Sequence, residues 1–137
     1  MMNKIQIVPT LSVKNANAAI EYYKKAFDAQ ELMRNTSPGG DVVAELSIGD
    51  ARFVVADEAP EHENFSPETL GGTPVRIGLQ VENPDDVYEQ AVSAGAKEIY
   101  PVADQDYGYR LGHLVDPFGH HWEIFTPLHK KFTGTSK

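Results

Sequence analysis

The sequence predicts an α+β fold. Two β-α-β-β-β modules form a curved mixed sheet, with helices on its outer face and a central cleft on its inner face. Three observations predict it. Apolar periodicity switches between the alternation of a strand and the stripe of a helix. The order strand, helix, strand, strand, strand occurs twice. Matching segments recur at an offset of about 68 residues: Val13-Lys14-Asn15 with Val81-Glu82-Asn83, and Asp28-Ala29-Gln30-Glu31-Leu32 with Gly95-Ala96-Lys97-Glu98-Ile99. Such an offset is long for a solenoid repeat and suits a duplicated module.

Residues 4–57 make the first module. Ile5, Ile7, Pro9, Leu11 and Val13 alternate on one face of a strand. Asn15 is a helix N-cap, followed by an apolar stripe of Ala16, Ala19, Ile20, Tyr23 and Phe27, with Lys24 and Lys25 near the C-terminal end. Strands follow at 29–35, 41–48 and 51–56, divided by Gly39-Gly40 and Gly49-Asp50. Residues 58–73 are polar, with Pro60, Pro67 and Gly71-Gly72, and read as a linker or mobile flap. Residues 74–127 repeat the module: a strand at 74–81, a helix at 83–94 stopped by Gly95, and strands at 97–102, 110–115 and 120–126. Residues 128–137 form a tail.

A chain of 137 residues fits one domain built from two small modules. No apolar run approaches the roughly 20 residues of a membrane span, and the N-terminus has no signal-peptide pattern. The absence of cysteine excludes disulfides, thiolate metal sites and cysteine nucleophiles. A cytoplasmic protein without a membrane partner is expected. The net charge of −8 argues against nucleic acid, which needs clustered Lys and Arg. The acidity serves solubility, and it also suits a neutral or cationic ligand. There is no nucleophile elbow, phosphate loop or dinucleotide fingerprint. Asp85 and Asp86 are placed to complement a helix dipole rather than to act as a catalytic acid–base pair.

Several segments carry a family resemblance. They are Val8-Pro9-x-Leu11-x-Val13-Lys14, the run from Ala19 to Phe27, Ala56-Asp57-Glu58, Ala94-Gly95-Ala96 and Asp116-Pro117-Phe118-Gly119-His120-x-Trp122. Together they resemble the vicinal oxygen chelate superfamily of glyoxalase I, extradiol dioxygenases, fosfomycin-resistance enzymes and bleomycin-resistance proteins, and within it the PhnB-like branch. The resemblance covers residues 5–127. It implies paired modules, a homodimer and a small-molecule site on the inner sheet.

It also implies four positions at which enzymes of the superfamily hold a divalent metal. Here they fall on Val8, Val54, Arg76 and Glu123. Two are aliphatic, and Arg76 is cationic at any working pH. At about 4 Å, its repulsion of a metal outweighs what one carboxylate recovers. No metal or other cofactor is therefore predicted. The alternative is a metal-dependent lyase, isomerase or dioxygenase using His121, Glu123 and a further ligand. For His113, a simple hairpin register puts the side chain on the opposite face. His120 reads as structural, and His62 and His129 belong to no motif.

The expected ligand-binding residues are Arg76, Glu123, His121, Gln80, Arg52, Tyr107, Tyr109 and Phe125. Arg76 and Glu123 are expected to meet across neighbouring strands. The pair either fills an old metal site or anchors an anionic or carbonyl group. Tyr107 and Tyr109 either stack on a planar ligand or cover the sheet end. The function expected is metal-independent binding of a small molecule, in drug or metabolite sequestration. A module that binds a protein partner and no ligand is a further reading.

Overall fold

The computed structural model describes residues 4–128, so His129 lies outside the described residues. The first module consists of β1 (Thr10–Val13), α1 (Ala16–Phe27), β2 (Gln30–Thr36), β3 (Val42–Ile48) and β4 (Ala51–Asp57). The second consists of β5 (Arg76–Gln80), α3 (Pro84–Ser93), β6 (Lys97–Asp104), β7 (Tyr109–Val115) and β8 (His121–Pro127). Between them lie a 3₁₀ turn (Pro60–His62) and the short α2 (Pro67–Leu70). The strand orders, β1-β4-β3-β2 and β5-β8-β7-β6, are the same in the two modules. The first strand of each pairs in parallel with the last, and the other pairs are antiparallel.

α1 starts as the sequence predicts, and α3 starts one residue later than expected, at Pro84 with Asn83 as its cap. The Asn15 side chain accepts from the Ala18 N–H at 3.1 Å, and Asn83 accepts from Asp86 at 3.3 Å with Pro84 next in line. Each cap satisfies a backbone donor that the helix cannot. The helices bury one face of each sheet and leave the other free. Under α1 lie Leu11, Val13, Leu46, Phe53 and Val55; on the second module Leu79, Leu114, Trp122 and Ile124 are buried.

The modules share one core. The Tyr22 hydroxyl donates to the Ala91 carbonyl at 3.1 Å, and Gln90 reaches the Lys25 carbonyl at 2.8 Å. Trp122, on β8, packs on Phe27, Tyr23 and Phe53 of the first module. Its indole N–H donates to buried Asp116 at 2.9 Å. The same carboxylate accepts from the Tyr23 hydroxyl at 2.5 Å and from the backbone N–H groups of Phe118 and His120. Burial, then the Asp116 charge, push the Tyr23 hydroxyl far above its ordinary range, so it stays a donor. The Asp-Pro-Phe-Gly turn is thus tied to the module interface. At its end Gly119 has φ +93°, and a Cβ there would lie 2.7 Å from the Cβ of Pro67. Both conditions call for glycine.

Two expectations change. The first strand was expected from residue 5, yet β1 begins at Thr10, and Ile5 and Ile7 are 92% and 91% exposed. Leu11 and Val13 have a helix above them; Ile5 and Ile7 precede β1 and pair with no strand. The linker, for its part, is anchored. Ser66 is fully buried, and its backbone N–H donates to Glu58 at 2.8 Å. Among the described residues no helix is long and apolar enough to cross a membrane.

Candidate functional site

Strand register decides which side chains share the free face of the second module. Residues directly opposed in a ladder point to the same side. Arg76 is opposed to His121, Gly78 to Glu123, and Gln80 to Phe125. Across the next ladder, His113 opposes Glu123 and Leu111 opposes Phe125, while Tyr100 on β6 opposes His113. The helix-covered face takes the alternate residues, among them Ile77, Leu79, Trp122 and Ile124.

His113 therefore lies on the same face as Glu123 and His121, and the opposite-face expectation is corrected. The loop between β7 and β8 holds five residues, 116–120, closed by the Asp116 N–H donating to the His120 carbonyl at 2.8 Å. An odd-numbered loop pairs residues of equal parity, so His113 meets Glu123. An even-numbered hairpin loop would have separated them.

Arg76 Nε donates to Glu123 Oε2 at 2.9 Å. The arginine side chain is 59% exposed and the glutamate 23%. The guanidinium therefore reaches solvent while covering a carboxylate that sits deeper. Beside them is a cavity of about 310 Å³ lined by Arg76, Glu123, Tyr107, Tyr109, Leu111 and Phe125. Tyr109 stands edge-on to Phe125 at 5.2 Å between ring centres, and Tyr107 edge-on to Tyr109 at 6.0 Å. Edge-to-face rings of this kind form an aromatic wall. Gly78 makes room for it, since a Cβ there would lie 3.3 Å from the Phe125 ring.

The histidines form a second pair on this face. His113 Nε2 and His121 Nδ1 are 2.9 Å apart. Burial, and next the His121 charge, hold His113 below the usual histidine range; Glu123 acts the other way. Tyr100 lies edge-on to His113, and burial, then the Glu123 charge, raise its hydroxyl above the ordinary tyrosine range.

Of the expected binding residues, Arg76, Glu123, Tyr107, Tyr109 and Phe125 line this cavity, with His121 and Gln80 on the same sheet face. Arg52 stands on the first module, engaged by Glu45 and, at 3.1 Å, by Gln6, and it lines with Arg76 a second cavity of about 380 Å³ between the modules. Sequence reasoning missed His113, Tyr100 and Leu111. The signal for His113 and Leu111 was loop parity. For Tyr100 there was none, because β6 shifts register on both sides of it. His120 bonds the Ser12 carbonyl at 2.9 Å, a contact between modules.

The four positions at which the family resemblance implies a metal are poorly suited to one. Val8 and Val54 offer no donor atom. The first module places Val54 opposite Thr10, as the second places Glu123 opposite Gly78, so the two positions are structurally equivalent. Glu123 is engaged by Arg76. Among the described residues, no three His, Asp or Glu side chains are grouped to hold a metal.

Comparison with known proteins agrees with this architecture. The profile of the Glyoxalase/Bleomycin resistance protein/Dioxygenase superfamily matches residues 5–124. Protein Mb0911c of Mycobacterium bovis is 40% identical over 124 residues, spanning 88% of this chain and 82% of that protein. The fold is similar to that of the genomically encoded fosfomycin resistance protein FosX from Listeria monocytogenes, with TM-score 0.72 and 16% identity over 95% of this chain and 98% of that one. TioX from Micromonospora sp. ML1 gives TM-score 0.68 and 22% identity over 89% and 95%. With the duplicated module, the shared core and the length of the match agreeing, the chain belongs to the Glyoxalase/Bleomycin resistance protein/Dioxygenase superfamily.

Proposed function

We propose that this protein binds a small molecule on the free face of its second module, without a metal, in drug or metabolite sequestration. The Arg76–Glu123 contact carries the reading. It places a cation where a metal enzyme of this family needs a ligand, and it occupies the one carboxylate left. Arg76 offers its remaining N–H groups to an anionic or carbonyl oxygen, because Nε alone is used on Glu123. The aromatic wall offers area for a planar group. A cavity of about 310 Å³ lined by three aromatic rings, Leu111 and the Arg76–Glu123 pair has the size and mixed lining of a small-molecule pocket.

The motif at residues 116–122 supports placement in the PhnB-like branch. Exposed Ile5, Ile7 and Val75, by the free edges of β1 and β5, support a homodimer. The test is a thermal-shift screen of planar anionic and carbonyl compounds, with hits repeated on Arg76→Leu. Stabilisation that Arg76→Leu abolishes supports the reading. A screen without hits favours a module that binds protein partners. Stoichiometric metal binding abolished by Glu123→Gln would replace the reading with that of a metal-dependent enzyme.

A further inference from the structure

The cavity of about 380 Å³ between the modules shares only Arg76 with the one on the free face. Residues 75–79 line it without a gap, so it follows the free edge of β5 rather than one face of the strand. Its floor is the seam between the modules. Phe53 of the first stands edge-on to Trp122 of the second, 5.9 Å between ring centres, and both line the cavity with Leu11 and Leu79. These four side chains are buried, whereas Ile7 and Val75 at the mouth are exposed. The cavity therefore reaches from the surface into the shared core.

The walls select the occupant. Apart from Arg52 and Arg76, every residue lining the cavity is apolar. Water gains few hydrogen bonds from such walls, so an apolar group is the favoured occupant. The two polar residues are both cationic, and no acidic side chain is among the lining residues. Arg52 gives one N–H to Glu45 and one to Gln6, and Arg76 gives one to Glu123, so donors remain on both. The net charge of −8 does not oppose an anion here, because exposed charges beyond about 8 Å are screened at physiological ionic strength.

We propose that this cavity binds a free medium-chain aliphatic carboxylate, with its chain on the Phe53–Trp122 floor and its carboxylate on Arg52 and Arg76. The site is distinct from the one proposed for the free face and does not depend on it. Charge-assisted hydrogen bonds from the guanidinium groups fix the head. Burial of the chain against Leu11, Leu79 and Trp122 supplies most of the affinity. Because Arg76 borders both cavities, Arg52 is the residue that distinguishes them.

Trp122 is the only tryptophan of the chain, so its emission reports on the cavity directly. Octanoate, 1-octanol and octylammonium carry the same chain with a negative, neutral and positive head. Titrated below their aggregation limits, octanoate should change the Trp122 emission saturably and bind most tightly, and octylammonium least. Arg52→Gln should weaken octanoate about tenfold, the worth of a hydrogen bond to a charged group, and leave 1-octanol unchanged. Ala51→Phe, which puts a ring on the cavity wall, should abolish the response. Tyr109→Ala, which alters only the free-face cavity, should preserve it. No saturable change with octanoate overturns the proposal. 1-Octanol or octylammonium binding as tightly as octanoate overturns the anionic head, as does an unchanged octanoate affinity in Arg52→Gln. Loss in Tyr109→Ala with retention in Ala51→Phe overturns the location and moves the ligand to the free face. Binding by a monomeric Ile7→Glu variant but not by the wild type puts a second copy in the cavity and also overturns the proposal. Where Ala51→Phe does not fold, Arg52→Gln and Tyr109→Ala decide.

Discussion

Arg76 on β5 and Glu123 on β8 meet at 2.9 Å on the free face of the second module, with the carboxylate the more buried of the two. Glu123 lies where the superfamily resemblance implies a metal ligand, and a guanidinium lies where it implies another.

Arg76→Leu should abolish ligand binding while changing stability by about 1 kcal/mol or less, the range of an exposed ion pair. Calorimetric titration and urea denaturation check the two halves. Loss of stability with ligand binding intact would make the pair structural only.

Asp116→Ala should be the most damaging of these substitutions. It strands the Tyr23 hydroxyl, the Trp122 indole N–H and two backbone N–H groups around a buried position. A cost on the order of 3 kcal/mol is expected, as for hydrogen bonds to a buried charge. The urea midpoint should fall, with near-ultraviolet dichroism of Trp122 changing in the same transition.

His113 should make stability depend on pH. Its folded pKa is depressed below the ordinary 6.5, so the unfolded chain binds the extra proton first. The stability it contributes is complete above about 6.5 and is lost as pH falls towards the folded value. Urea midpoints measured from neutral to mildly acid pH should fall more steeply in the wild type than in His113→Phe.

Gly112→Ala should destabilise by about 1–3 kcal/mol through overpacking. The new Cβ would lie 2.7 Å from Val102 and 2.9 Å from the buried Tyr88 ring. Because α3 carries Tyr88 over β7, the damage should appear as faster amide exchange in α3. In a Tyr88→Ala background, where the ring is gone, Gly112→Ala should cost less than it does in the wild type.

Ile7→Glu should dissociate the proposed homodimer without unfolding the protomer, since Ile7 is 91% exposed in the single chain. Sedimentation analysis of both proteins at matched concentration checks it. A variant that remains dimeric places the interface elsewhere.

The family resemblance implied that Arg76 and Glu123 meet; the sequence by itself determined the duplicated module, the cap at Asn15 and the buried stripe of α1. These follow from local rules: apolar period, capping chemistry and the repeat offset, each read within one segment. Only the tertiary structure decided what depends on registers and partners. The five-residue turn at 116–120 brought His113 to the face of Glu123, because one residue of loop length inverts every side chain on a strand. The register shifts around Tyr100 placed that ring beside His113, which no alternation rule anticipates. Ile5 and Ile7 continue the apolar alternation of β1, yet they are exposed, because pattern records which residues would be buried and packing alone supplies what buries them.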